Sequence, residues 1–140
     1  MLCGALKTFF RELEDPLVPF GLHQHFLSSF NIQDKSKRFI FVHELIKKMP
    51  IAHRETLRHL LRHLLKVIEL ASQNRMNVQN IALVFGPNIM RSNPVNDTNY
   101  NFGFNPNIMT QNVLVEYMLV NFKELFSFQS NSIFTEYTHY

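Results

Sequence analysis

With 140 residues, 46% of them hydrophobic and 18% charged, the chain is long enough for one domain with a buried core, which excludes a disordered chain. No apolar run approaches the ~20 residues of a membrane-spanning helix, the start lacks a signal-peptide pattern, and the single cysteine excludes an internal disulfide. The net charge of +3 favours an acidic partner, while the lack of zinc-finger spacing and of Lys/Arg runs argues against nucleic acid. A cytoplasmic location is therefore predicted.

The first predicted helix covers residues 4–13. Its apolar side chains recur on one stripe, at Ala5, Leu6, Phe9, Phe10 and Leu13. Lys7 and Arg11 lie four residues apart on another side, where like charges repel slightly and are better placed opposite an acidic group or a phosphate. The residues alone leave the alternative open that this is a solvated face, with Glu14 neutralising Arg11.

Two prolines interrupt the helical pattern after this segment. Pro16 and Pro19 predict a stiff turn over residues 14–20, followed by a short helix over residues 22–30. His23 and His25 point to different sides of that helix, so they are not expected to share a metal. Asp34 is predicted to cap a further helix that ends near residue 48, before Pro50.

The clearest helical period follows that proline. Six apolar residues recur at the spacing of a core helix, at Leu57, Leu60, Leu61, Leu64, Leu65 and Ile68. A second row repeats at intervals of four and carries only positive charge, at Arg54, Arg58, Arg62 and Lys66. This row is interpreted as a solvated face, with contact to an acidic surface or to anionic lipid headgroups as the alternatives. His59 and His63 have the spacing of a zinc pair but lack the intervening glutamate, so no metal site is predicted.

Residues 76–91 combine a cap, a buried face and a stop signal. Asn77 is predicted to cap a helix whose core side is formed by Val78, Ile81, Ala82 and Phe85. Gly86 and Pro87 are predicted to end it, because glycine tolerates a left-handed conformation and proline lacks an N–H group. Asn80 is left on the polar side, where its amide is able to hold a partner's backbone or to bond a neighbouring loop.

The last third of the chain is predicted to contain a loop, a helix and a tail. Residues 92–107 are rich in Asn, Pro and Gly and predict a loop. Thr110 is predicted to cap a final helix with an apolar band at Val113, Leu114, Tyr117, Met118, Phe122 and Leu125. No clear period follows residue 127, and no strand pattern or internal repeat occurs anywhere, so the predicted class is all-α.

Three blocks together closely resemble the Rho GTPase-activating protein (RhoGAP) domain in order and spacing. The first runs from Gly4 through Glu14-Asp-Pro-Leu-Val-Pro-Phe20. The second is Met49-Pro50 with the leucine-rich helix through Leu65, and the third is Asn77-Val-Gln-Asn-Ile-Ala-Leu-Val-Phe-Gly-Pro-Asn88. The resemblance covers residues 4–126 and predicts an N-terminally truncated domain over residues 1–128 with a tail over residues 129–140.

The resemblance implies a helical module that binds a Rho-family small GTPase in its GTP-bound form and stimulates hydrolysis in the GTPase's own active site. Lys7 and Arg11 match the family's two basic positions, and Asn80 matches the asparagine that contacts the GTPase near its nucleotide. Pro87 and Asn88 lie at the edge of the same surface. The nucleotide and magnesium belong to the GTPase, so no cofactor or metal is expected in this chain, which is a regulator and not an enzyme.

One family feature is missing from the sequence. The arginine finger of the family lies in a pattern of the type Gly-x-x-Arg-x-Ser-Gly, and no such segment occurs in these residues. A finger is worth roughly 10³ to 10⁵ in rate, so weak or lost stimulation is expected, and no catalytic residue is assigned. A non-catalytic binding module is the alternative. The apolar stripe of the first helix is also expected to be partly exposed, which would favour self-association.

Overall fold

The structure is a computed structural model that describes residues 2–70, 76–91 and 108–127. These residues form seven α-helices and one 3-10 helix, and no strand occurs among them, which confirms the all-α class. The elements in chain order are α1 (Leu2–Arg11), α2 (Phe20–Ser28), the 3-10 helix (Ser29–Asn31), α3 (Lys35–Lys48), α4 (Ile51–Glu69), α5 (Val78–Ile89), α6 (Ile108–Val120) and α7 (Phe122–Leu125). The predicted loop over 92–107 and the tail over 129–140 lie outside the described residues.

Two of the three predicted side-chain caps are present. Asp34 accepts hydrogen bonds from the backbone N–H groups of Ser36 and Lys37, at 2.9 and 3.1 Å, and begins α3. Asn77 Oδ1 accepts from the N–H of Asn80 at 2.8 Å and begins α5. The cap predicted at Thr110 is wrong, because α6 already begins at Ile108 and places that threonine inside its first turn.

Helix α5 occupies the middle of the domain and packs against α1, α4 and α6. Its predicted core side is confirmed at Ile81, Ala82 and Phe85, which are almost fully buried, while Val78 is half-buried. The α4 stripe is also confirmed: Leu57, Leu60, Leu61 and Leu64 are buried, and Leu65 and Ile68 are half-buried. The buried side chains of these two helices belong to one apolar core, whose burial stabilises the fold.

The helix stop predicted at Gly86 and Pro87 is wrong, since α5 continues to Ile89 with Pro87 inside it. Proline removes only the hydrogen bond to the carbonyl of Leu83, which lies on the exposed side of the helix, where water is available. Asn88 Nδ2 donates to the carbonyl of Val84 at 3.0 Å, and the N–H of Met90 donates to that of Gly86 at 2.9 Å. These two hydrogen bonds keep the last turn of α5 helical.

Helices α1 and α6 show where an apolar pattern overstates burial. In α1, Phe10 is buried and Leu6 is half-buried, but Phe9 is 59% exposed. In α6 the predicted band is correct at Leu114 and Met118, whereas Val113 is 47% exposed. The α6 helix is apolar on most sides, so the sequence did not reveal which side faces the core.

No helix in the described residues has both the length and the apolar character needed to cross a bilayer.

Candidate functional site

A groove of about 390 Å³ lies between α1 and α5. Its lining residues are Gly4, Lys7, Thr8 and Arg11 from α1 and Val84, Pro87 and Asn88 from α5. The structure therefore brings together Lys7, Arg11, Pro87 and Asn88 of the predicted site residues. Asn80, the fifth predicted site residue, does not line the groove.

The α1 wall of the groove is positively charged. Its residues lie at positions i, i+3, i+4 and i+7, which share one face of a helix, and Thr8 Oγ1 donates to the carbonyl of Gly4 at 3.0 Å. Lys7 is half-buried and Arg11 is exposed, and neither forms an ion pair with any residue in the described part of the chain. The neutralising Glu14 that the sequence left open is therefore not seen. An anionic group in the groove would meet two cations without competition.

The α5 wall is formed by a half-buried Val84, an exposed Pro87 and a buried Asn88. Because the Asn88 amide nitrogen donates to the Val84 carbonyl, this side chain stabilises the end of α5 while it lines the groove. Gly4, Thr8 and Val84 were not among the predicted site residues. Their spacing from Lys7, Arg11 and Asn88 was the signal that could have found them.

Asn80 extends the α5 wall toward the start of that helix. It is exposed and precedes Val84 by four residues and Pro87 by seven. At the α-helical rise, these intervals correspond to about 6 and about 10 Å along one face. Asn80 therefore lies on the same side of α5 as the groove, one turn beyond its end.

The end of α1 is fastened to the end of α5. The guanidinium of Arg91 donates to the carbonyls of Arg11 and Leu13, and its Cζ lies 5.8 Å from the centre of the Phe20 ring. The N–H of Val18 donates to the carbonyl of Ile89 at 3.1 Å. Arg91 therefore caps the C-terminal end of α1.

The predicted cationic row of α4 is divided by the fold. Arg54 is 6% exposed, and its Nη1 lies 3.5 Å from the carbonyl of Lys47 at the end of α3. Arg58 Nη1 pairs with Glu55 Oε2 at 3.3 Å. Of that row, Arg62 and Lys66 are exposed and Arg58 is half-buried. The row predicted at intervals of four is thus not a single surface.

The histidines do not assemble a metal centre in the described residues. No group of three or more His, Cys, Asp or Glu side chains there is arranged to hold an ion. His23 is buried, with its Nε2 2.8 Å from Gln111 Nε2, and this contact links α2 to α6. His59 and His63 are exposed on α4.

Comparison with known proteins identifies the family. The RhoGAP domain family matches residues 1–94, about two thirds of the chain. The chain belongs to this family. The match includes all five predicted site residues and both walls of the groove.

The chain is similar to its relatives over stretches of different length. Mouse Rho GTPase-activating protein 27 is 46% identical over 91 residues, which are 65% of this chain and 10% of that protein. Mouse Rho GTPase-activating protein 15 is 34% identical over 127 residues, 91% of this chain and 25% of that protein. The chain therefore spans a quarter or less of the length of these relatives.

Solved structures extend the similarity beyond the family match. The crystal structure of human Rho GTPase activating protein 15 superposes with a TM-score of 0.77 and 34% identity, covering 89% of this chain and 56% of that chain. The BH domain of GRAF, the GTPase regulator associated with focal adhesion kinase, has a TM-score of 0.74 and 30% identity, covering 87% and 63%. The RhoGAP architecture therefore includes the helices beyond residue 94.

Proposed function

We propose that this domain binds a Rho-family small GTPase in its GTP-bound form through the groove between α1 and α5 and acts as a GTPase activator. The observation that supports this most directly is the convergence of Lys7, Arg11, Pro87 and Asn88 on one groove, in a chain of the RhoGAP family. Lys7 and Arg11 supply positive charge for an acidic surface, and the exposed Pro87 supplies an apolar edge. Asn80 extends the contact along α5, where its amide is suited to a polar group near the nucleotide.

The level of stimulation is a separate part of the proposal. The 140 residues contain no Gly-x-x-Arg-x-Ser-Gly segment, and Arg91 is engaged in capping α1. Arg11 belongs to a helix that is packed on α5, whereas a finger must reach into the nucleotide site. We therefore expect the 140-residue chain by itself to bind the GTPase with little acceleration, far below the 10³ to 10⁵ typical of a supplied finger.

The alternative function, a non-catalytic binding module, rests on the same missing arginine-finger segment. Affinity for the GTP-loaded GTPase distinguishes such a module from an activator that lacks its finger. A dedicated binder holds the GTP-loaded GTPase tightly without any finger. An activator that lacks its finger binds weakly, because part of its contact with the nucleotide site is missing.

The test combines binding with single-turnover hydrolysis. Rac and Rho proteins loaded with a non-hydrolysable GTP analogue are titrated with the chain, and hydrolysis of bound GTP is followed with the chain in excess. The variant Lys7→Gln/Arg11→Gln should weaken binding at least tenfold, because two charge-assisted contacts are lost. The matched control, Lys35→Gln/Lys37→Gln, removes the same charge from exposed positions on α3 and should leave affinity nearly unchanged.

Equal weakening by both double variants would mean that net charge, and not the groove, determines binding. Acceleration comparable to complete activators would show that an arginine of this chain reaches the nucleotide. In that case Arg11→Ala, compared with Arg62→Ala, would identify it. Absence of binding by a folded chain would refute the proposal.

A further inference from the structure

One face of α4 carries a compact positive surface that the predicted row did not describe. His59, Arg62, His63 and Lys66 lie at positions i, i+3, i+4 and i+7, and all four are exposed. That spacing places them on a single face, opposite the buried leucines of the same helix. We call these four residues the α4 basic face.

The four residues of the α4 basic face include no carboxylate, but a glutamate borders each end of the face. Residues 56–68 contain no aspartate or glutamate, and Glu55 is already paired with Arg58 at 3.3 Å. Within the described residues, Arg62 and Lys66 form no ion pair. At the C-terminal end, the exposed Glu69 follows Lys66 by three residues, so the negative charge on this side of α4 is confined to the two ends of the face. The α4 basic face shares no residue with the groove between α1 and α5.

We propose that the α4 basic face binds the surface of an anionic lipid bilayer. The face is one side of a single helix and contains no apolar centre, whereas specific protein interfaces have an apolar core. It also lacks the Phe, Tyr and Trp side chains on which nucleic-acid bases stack, and its only rings are the imidazoles of His59 and His63. A fluid anionic surface needs neither feature, because attraction to lipid headgroups depends on charge near the membrane and not on a complementary shape.

The residue that continues this face is also suited to a bilayer. Leu70 follows Lys66 by four residues, directly after the end of α4, and is 52% exposed. At helical spacing, Leu70 lies on the same side of α4 as the basic face. With the headgroups held by Arg62 and Lys66, the Leu70 side chain enters the boundary between headgroups and acyl chains, as apolar residues of surface-bound helices do.

The experiment measures sedimentation of the 140-residue chain with vesicles of phosphatidylcholine alone and of phosphatidylcholine mixed with phosphatidylserine. Binding is expected only with phosphatidylserine and should decrease as salt is added. At about 1 kcal/mol for each cation near the surface, Arg62→Gln/Lys66→Gln should lower the partition coefficient roughly 25-fold. The matched control, Lys35→Gln/Lys37→Gln, removes the same net charge elsewhere and should have a much smaller effect.

A second variant separates a bilayer from other polyanions. Leu70→Ser should weaken vesicle binding but leave binding to soluble polyglutamate or duplex DNA unchanged, because only a bilayer offers an apolar interior. The proposal is overturned if both double variants lose vesicle binding equally, or if the chain binds the two vesicle types alike. It is also overturned if the α4 basic face affects only the soluble polyanions, which would assign it to an acidic macromolecule.

Discussion

At Gly86, α5 and α6 approach each other so closely that a side chain would not fit. A Cβ atom there would lie 2.3 Å from Asn112 Oδ1 but 3.5 Å from Asn112 Cα. The obstacle is therefore the amide oxygen of Asn112 and not the α6 backbone. That oxygen is buried and has no hydrogen-bond partner in the described structure. Gly86 is required by packing and not by an unusual backbone conformation.

This geometry predicts that a substitution at Asn112 restores the stability that a substitution at Gly86 removes. Gly86→Ala should destabilise the fold by about 1 to 3 kcal/mol through overpacking. Asn112→Ala should be nearly neutral, because it removes a buried acceptor that makes no hydrogen bond. The double variant should recover most of the loss. Urea denaturation of the four proteins measures the coupling, and a double variant no more stable than Gly86→Ala would place the obstacle in the backbone.

His43 gives the fold a dependence on pH. Its ring stacks on Phe39, with centroids 5.9 Å apart. Partial burial and the charge of Lys47 lower the pKa of His43 below 6.5, with Glu44 opposing. The folded chain then binds fewer protons than the unfolded chain just below pH 6.5. The free energy of unfolding should therefore fall as the pH drops through this range.

The corresponding test replaces the imidazole by a ring that cannot bind a proton. His43→Phe keeps an aromatic ring beside Phe39 and should reduce the loss of stability between pH 7.5 and 5.5 relative to the unmodified chain. His25→Gln removes an exposed imidazole and is the control. If both variants lose stability with acid as steeply as the unmodified chain, His43 does not contribute to the pH dependence.

At the scale of elements, α1 depends on a side chain far away in sequence. Arg91 donates to the carbonyls of Arg11 and Leu13, which the end of α1 leaves without helical partners. Arg91→Gln should therefore destabilise the domain by about 1.5 to 3 kcal/mol and weaken binding at the groove. Urea denaturation and GTPase titration measure the two effects. Arg62→Gln, at an exposed position without an ion pair, should leave both nearly unchanged.

The sequence predicted elements well where a single local signal decided the outcome. The α4 leucines and the caps at Asp34 and Asn77 are examples, because period and side-chain chemistry are both local. Pro87 shows the limit: a proline is tolerated in α5 because Asn88 and Met90 restore the last turn. The burial of Arg54 was not predictable either, because it depends on how the end of α3 packs beside the first turn of α4.

At the scale of the whole molecule, α7, the last helix in the described residues, contributes to the core. Leu125 and Phe126 are 0% and 4% exposed, and α7 packs against α3 and α6. A chain ending at residue 128 should therefore unfold at nearly the same temperature as the 140-residue chain. A chain ending at Asn121 loses both side chains, each worth about 1.5 to 3 kcal/mol, and should be much less stable. Thermal unfolding tests the predicted boundary, and a large loss of stability in the chain that ends at residue 128 would contradict it.

The candidate site needed more than local patterns. Charge and spacing placed Lys7 and Arg11 on one side of α1, but only the family resemblance connected them with α5, more than 70 positions further along. The structure then added Gly4, Thr8 and Val84 to the same groove. No periodicity could have shown that α1 and α5 lie side by side, because that adjacency results from the packing of the whole domain.

The bond between the Val18 N–H and the Ile89 carbonyl offers a direct view of groove motion. Val18 is fully buried, and the bond spans the two chain segments that follow α1 and end α5. If these helices separate, this amide loses its acceptor and becomes able to exchange its hydrogen with solvent deuterium. The exchange rate of the Val18 amide therefore measures how often α1 and α5 separate. A bound partner that holds the two helices together would lower this rate.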